Sequence, residues 1–186
     1  MNRNANFDIL YLLKSSNVKY NGLNINEINT LLYISKLISI YDGNKATDWG
    51  YEFSTNALGG PYSSDVAIEL SEMDSKNIVS ILKDCYFYDD IIILDIAKLS
   101  SFRNRVKYID IAINVLILNP LPTLCMAIQN EFNVMNNITL KKNEVLTMTN
   151  GDATYKLFEM IRGIYTSKNP QLILPAMAWI KVLISE

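Results

Sequence analysis

Apolar residues recur at helical spacing along most of this chain, and β-branched and aromatic runs concentrate in its middle. Residues 7–14 predict a short apolar helix, followed by a polar connection over 15–22. Ile28, Leu31, Leu32, Leu37 and Ile38, with Ser35 among them, form a stripe at three- and four-residue spacing. That stripe predicts a helix over 26–41, capped by Asn26 with Glu27 in its first turn. Asp42-Gly43-Asn44 ends it, and the loop behind leaves room for one helical turn around 46–50. Residues 51–58 are ambiguous, with Phe53, Ala57 and Leu58 able to pack as a short helix.

Gly59-Gly60-Pro61 reads as a turn that starts a helix, with Ser63 or Ser64 as cap and Asp65 in the first turn. Val66, Leu70 and Met73 give that helix one buried face, with Ala67 and Ile68 on its shoulder, up to Ser75-Lys76-Asn77. Residues 78–86 and 91–96 are rich in Ile, Val and Tyr and predict two strands joined by a polar turn at Tyr88-Asp89-Asp90. A long helix is predicted over 98–119, with Phe102, Val106, Ile109, Ile113 and Leu116 inward and Ile117 at one edge. Asn119-Pro120-Leu121-Pro122 breaks it. A helix follows over 123–136, and 138–148 reads either as a weak β element or as a helix and turn. Asn150-Gly151-Asp152 caps a helix over 153–165, and Asn169-Pro170 opens a last one to Ile184.

The expected fold is α+β and mostly α-helical. Residues 1–118 form a winged-helix-like part with a β-hairpin wing, and residues 119–186 a helical part, open to being a second winged helix.

Composition narrows the chemistry. The chain has 186 residues, 49% hydrophobic and 19% charged, which suits a folded domain with a real core. Its net charge of −2 lacks the basic footprint of a nucleic-acid binder. It contains no histidine, which removes Ser-His-Asp and Cys-His nucleophile systems and histidine metal sites. Cys85 and Cys125 sit in apolar company, as buried thiols of a cytoplasmic protein do. No leader or membrane-spanning run is expected, since no apolar stretch is long enough.

Each candidate site competes with a plain structural role. The Gly59-Gly60-Pro61-Tyr62-Ser63 turn lacks the lysine and glycine spacing of a phosphate loop. Asp65, Glu69, Glu72 and Asp74 against Lys76 alone make its helix acidic, so it would repel a duplex and suit a basic or amphipathic partner. Lys98, Arg103, Arg105 and Lys107, with Lys141 and Lys142, are the candidate phosphate contacts. Asp89, Asp90, Asp95 and Glu52 read as turn and surface residues before a metal set, and Glu131 and Glu159 as isolated. Tyr41, Trp49 and Tyr51 read as core aromatics. The last helix is apolar nearly all round, so Trp179 and Leu183 face either the chain's own core or a partner. No catalytic residue, cofactor or metal is expected.

Tyr51-Glu52-Phe53, Gly60-Pro61-Tyr62-Ser63, Val66, Leu70 and Ile78-Val79 give the order aromatic, Gly-Pro-Tyr-Ser, spaced apolars, strand. Over 26–97 this resembles the winged-helix region of the small middle-component subunits of three-component ABC/SMC-type ATPase systems, some of them Lamassu-type anti-phage systems. Related patterns occur in winged-helix-like antitoxin domains. The first resemblance implies a non-catalytic adaptor, similar to the kleisin-interacting subunits of bacterial condensins. It would bind an SMC-like ATPase and couple it to an effector such as a nuclease. Pairing with a second copy, and DNA contact inside the complex, stay open. The alternative is a winged-helix DNA-binding regulator or antitoxin.

Overall fold

The computed structural model describes residues 1–16, 22–142, 144–148, 151–165 and 171–185. It is an α+β structure, mostly helical, with two small antiparallel sheets. Helix α1 (Arg3–Ser16) is longer than its apolar stretch predicts and sets Ala5, Asp8, Ile9 and Leu12 into the core. Helix α2 (Ile25–Tyr41) is buried on nearly every side. Asn24, not Asn26, caps it: its side chain accepts from the N–H groups of Asn26 and Glu27, and Glu27 reaches back to the Asn24 N–H. This capping box satisfies donors the first turn would leave open.

A 3-10 turn, Ala46–Trp49, closes on Gly50 in the left-handed region. The residues after it are extended rather than helical, and they bury Tyr51 and Phe53. Strand β1 (Ser54–Thr55) pairs with β2 (Pro61–Tyr62) around the glycine turn. Gly59 has φ +81°, while Asn56 Oδ1 accepts from the N–H groups of Leu58 and Gly60, both at 3.0 Å. Those N–H groups are thereby satisfied inside the turn. Helix α3 (Ser64–Ser75) comes next, with Val66, Leu70 and Met73 inward as the spacing predicts. Its docking is fixed by Asn29 of α2, which accepts from the Ser63 N–H at 2.9 Å. Ile68, expected on the shoulder, is exposed.

The hairpin is shorter than predicted and its turn lies elsewhere. Strand β3 (Ser80–Leu82) pairs with β4 (Cys85–Phe87) across Lys83-Asp84, both at positive φ, as a two-residue type I′ turn requires. Gly22 lies under this hairpin, and a Cβ there would stand 2.5 Å from the Phe87 ring. The second predicted strand, 91–96, is instead the short helix α4 (Ile92–Ile96), with Asp90 accepting from the Ile92 N–H at 2.8 Å.

Helix α5 (Ser100–Leu118) packs on α2 and α1. Its buried face includes Phe102, Ile109, Ile113 and Leu116 as expected, and Arg105 and Tyr108 besides; Val106 is half-buried and Ile117 exposed. The proline break turns the chain by 112° into α6 (Leu121–Gln129). The predicted helix 123–136 is two, because α6 closes at Asn130 and Glu131 caps the next, α7 (Phe132–Thr139). No strand occurs among the described residues of 138–148, although Leu146 donates to the Phe53 carbonyl. Helices α8 (Ala153–Ile164) and α9 (Ile173–Ser185) complete the fold, α9 packing on α5, α6 and α8. The predicted start of the last helix, Asn169-Pro170, lies outside the described residues. Buried side chains from both sides of residue 119 form one cluster, so the core runs through the expected division of the chain.

Candidate functional site

Five charged side chains among the described residues lie inside, Asp8, Arg105, Glu131, Lys36 and Glu69, and of these the sequence pattern reads Arg105 and Glu69 as surface contacts. Asp8 and Arg105 are buried and paired: Arg105 Nε donates to Asp8 at 2.7 Å, and Nη2 donates to its second oxygen. The Tyr51 hydroxyl donates to Asp8 at 2.8 Å, and the Trp49 carbonyl accepts from Arg105 Nη1 at 2.9 Å. The guanidinium also lies 4.2 Å from the Trp49 ring centre. Burial pushes the Asp8 carboxyl above its ordinary range, against the pull of Arg105. Arg105 is thus removed from the candidate phosphate contacts. It ties α1 and α5 to the aromatic segment around Tyr51.

Glu131 is the third. It is fully buried and accepts from the Tyr33 hydroxyl at 3.0 Å, from the Thr154 hydroxyl, and from the N–H groups of Asn133 and Val134 at 3.1 Å each. It therefore joins α2, α7 and α8 at one point, and burial raises its pKa. Lys36 of α2 is buried too, its ammonium 3.5 Å from the Tyr51 carbonyl, and desolvation lowers its pKa. These groups are satisfied by neighbours in the core.

On α3 the acidic face is smaller than its sequence suggests. Glu69 is buried and accepts from the Asn2 N–H and from Asn6 Nδ2 at 3.0 Å. Asp65 is half-buried and accepts from Asn2 Nδ2 at 3.2 Å. Glu72 pairs with Lys76 at 2.9 Å, which leaves Asp74 as the exposed carboxylate of the helix.

Four of the six candidate phosphate contacts are partnered within the chain. Lys98 pairs with Asp95 at 2.8 Å, Lys107 with Asp42 at 2.7 Å, and Lys142 with Glu144 at 3.5 Å. Arg103 and Lys141 are exposed. Trp179 and Leu183 are buried against the chain's own helices, although Leu174 and Ile184 of the same helix are exposed. Cys85 and Cys125 are half-buried free thiols. Among the described residues no group of three Asp, Glu or Cys side chains is placed to hold a metal ion. No single helix among them is long and apolar enough to cross a membrane.

The β3–β4 hairpin together with α4 is anchored to the core by Val79 and Ile93 and carries a run of exposed apolar side chains. Leu82 is 64% exposed, Ile91 70% and Ile92 58%, and Ile78, Ile81 and Leu99 are exposed around them. A groove beside the hairpin is lined by Ile78, Ile81, Tyr88 and Ile91 together with Asp74 and Asp90. The sequence pattern alone places these isoleucines in paired strands. The signal for their exposure is the density of apolar residues in a segment too short to be covered on both faces.

Comparison with protein-family models, with curated proteins and with solved structures found no match to this chain.

Proposed function

We propose that the chain is a non-catalytic, protein-binding subunit of winged-helix type, in which α3 and the β3–β4 hairpin stand where a DNA reader would have its recognition helix and wing. The observation that carries this reading is the uncovered apolar surface of the hairpin and α4. A solvent-facing cluster of this kind marks a site that another protein covers. Phosphate affinity needs free cations, and Lys98, Lys107 and Lys142 are paired with acids of this chain while Arg105 is buried. The Gly-Pro-Tyr-Ser resemblance points to the partner: an SMC-like or ABC-type ATPase, coupled through this adaptor to an effector in anti-phage defence.

The test is co-purification of the tagged chain expressed from its native operon, with mass spectrometry of the bound proteins. Recovery of a coiled-coil ATPase, lost in a Leu82→Asp, Ile92→Asp variant that keeps its helical circular dichroism, supports the adaptor. A chain that stays monomeric, ignores the products of its own operon and binds duplex DNA at low salt would transfer the reading to a regulator.

A further inference from the structure

The β3–β4 hairpin has one covered edge and one open edge. Tyr86 donates its N–H to the Leu23 carbonyl at 2.9 Å and accepts from the Leu23 N–H at 3.3 Å. Both main-chain groups of Tyr86 therefore point away from β3. In an antiparallel ladder, residues facing each other alternate between exchanging two hydrogen bonds and exchanging none. Ile81 faces Tyr86, so theirs is a non-bonded pair, and the Ile81 N–H and C=O point outward on the other side. No partner for either group is found among the described residues. Strand β3 is exposed along its whole length. Ser80-Ile81-Leu82 contains no charge and no proline, two of the devices by which proteins blunt an open edge.

The groove at the base of the hairpin, between residues 77–81 and 87–91, has one sign of charge. Among the described residues, Asp74, Asp89 and Asp90 line it, and no cation does. Lys14 of α1 pairs with Asp89. Asp74 and Asp90 make no ion pair among the described residues. An added strand would meet outward main-chain groups at Ile81 and exposed apolar area on Ile81 and Leu82, and its flanking side chains would reach the carboxylates of the groove at the hairpin base.

We propose that the open edge of β3 accepts an extended segment of a partner protein as a third strand, and that this segment carries both apolar and basic side chains. The inference rests on the protein-binding reading above and names the kind of segment bound. Main-chain hydrogen bonds supply affinity in strand addition, and side-chain pockets supply selectivity. A second copy of this chain is a poor occupant, because edge-to-edge pairing would bring two sets of these carboxylates together.

The probe is a blocked hexapeptide of alternating valine and lysine, with a valine–glutamate hexapeptide as control, added to the full chain. Amide hydrogen exchange by NMR is the readout. The lysine peptide is expected to slow exchange at the Ile81 N–H about tenfold or more at saturation, and the glutamate peptide to leave it unchanged. Ile81→Pro removes the outward donor without touching the bonds between β3 and β4, and edge positions accept proline. Asp74→Lys with Asp90→Asn changes the charge and keeps an acceptor at position 90. Each variant is expected to weaken the lysine peptide about tenfold in a chemical-shift titration, which needs no N–H at position 81. Equal binding of both peptides, or an Ile81 amide indifferent to the lysine peptide, overturns the proposal. Co-purification separates it from the wider reading. A partner recovered equally by wild type and both variants leaves the adaptor standing and removes the edge as its site. A lysine peptide bound at Ile81 with no partner recovered from the operon keeps the edge and removes the adaptor.

Discussion

Consider Asp8→Asn. The substitution keeps shape and one acceptor but removes the charge that neutralises Arg105, whose side chain is 9% exposed against 0% for Asp8. The guanidinium is then left in the core with the Trp49 carbonyl and the faces of Trp49 and Tyr51. Deleting one member of a buried ion pair costs about 3–5 kcal/mol, because the survivor is buried without compensation. Asparagine still accepts one hydrogen bond, so the expected loss is about 3 kcal/mol. Arg105→Met should cost a similar amount near neutral pH, since Asp8 then keeps the Tyr51 hydroxyl alone. The double variant removes both charges and fills the space with uncharged side chains. Its loss should be well below the sum, with a coupling of at least about 2 kcal/mol.

Urea titration followed by far-UV circular dichroism measures this if the slope is unchanged between variants. A pH arm adds a sign. In Arg105→Met the buried carboxyl has lost its cation, so its folded pKa rises further above the ordinary value of 3.8. An acid held protonated in the folded state stabilises below its unfolded pKa, and that contribution is lost as pH rises through the folded value. Arg105→Met should therefore regain stability relative to wild type on acidification. Additivity within about 0.5 kcal/mol, or an Asp8→Asn cost under about 1 kcal/mol, would refute the placement of this pair.

Ser63 stands at the N-cap of α3, yet its hydroxyl makes no capping bond and is buried without a partner. Ser63→Ala should thus change stability by less than about 0.5 kcal/mol or raise it, and a loss of about 1 kcal/mol, usual for a cap, would count against the reading. Lys83 and Asp84 have φ of 51° and 62°, and Lys83→Asn with Asp84→Gly should slow hairpin amide exchange and add about 0.5–1 kcal/mol. Glu131→Ala strands the Tyr33 and Thr154 hydroxyls and uncaps α7, for an expected loss of about 3 kcal/mol in denaturant titration. The Tyr11 hydroxyl donates to Asp110 and that of Tyr108 to Asp42, and burial first, then the carboxylates, push both phenols to about 12. Their contribution is present below the ordinary value of 10 and lost as pH rises from there to about 12; urea titrations repeated across that range should find this slope flattened in Tyr11→Phe, Tyr108→Phe.

The helices are legible in the sequence because burial on one face leaves a local trace. The stripes of α2, α3 and α5 are read correctly at their centres, while their margins are not, as the exposed Ile68 and Ile117 show, and the proline break after α5 lies at the Asn119-Pro120 step itself. The strands after α3 are not, because Ile91-Ile92-Ile93-Leu94 has β propensity and a helical fate. The Asp90 carboxylate accepts from the Ile92 N–H at the start of that helix, and β4 already has partners on both sides in β3 and Leu23. Nothing local encodes that occupancy. The buried charges leave a fainter trace. Asp8 lies in the stripe Ala5, Ile9, Leu12, and Arg105 in the stripe Phe102, Ile109, Leu116. A charge within an apolar stripe asks for a buried partner, but the pair is separated by 97 residues, and only the fold names it.

This relocation of charge changes where an interaction surface can lie. Counting side chains along α3 gives four carboxylates to one cation and makes that helix the natural docking face. With Glu69 folded against α1 and Glu72 paired to Lys76, the free negative charge of α3 contracts to its C-terminal end at Asp74. That end abuts the hairpin, where Asp90 adds a second carboxylate and Ile81 and Ile91 supply exposed apolar area. The same contraction removes Arg105 from the opposite account, so the basic surface needed by a DNA reader weakens as the acidic groove sharpens. Charge that remains at the surface after the core has satisfied its own is what a partner meets, and Asp74 and Asp90 are the part of it that lines the groove at the base of the hairpin.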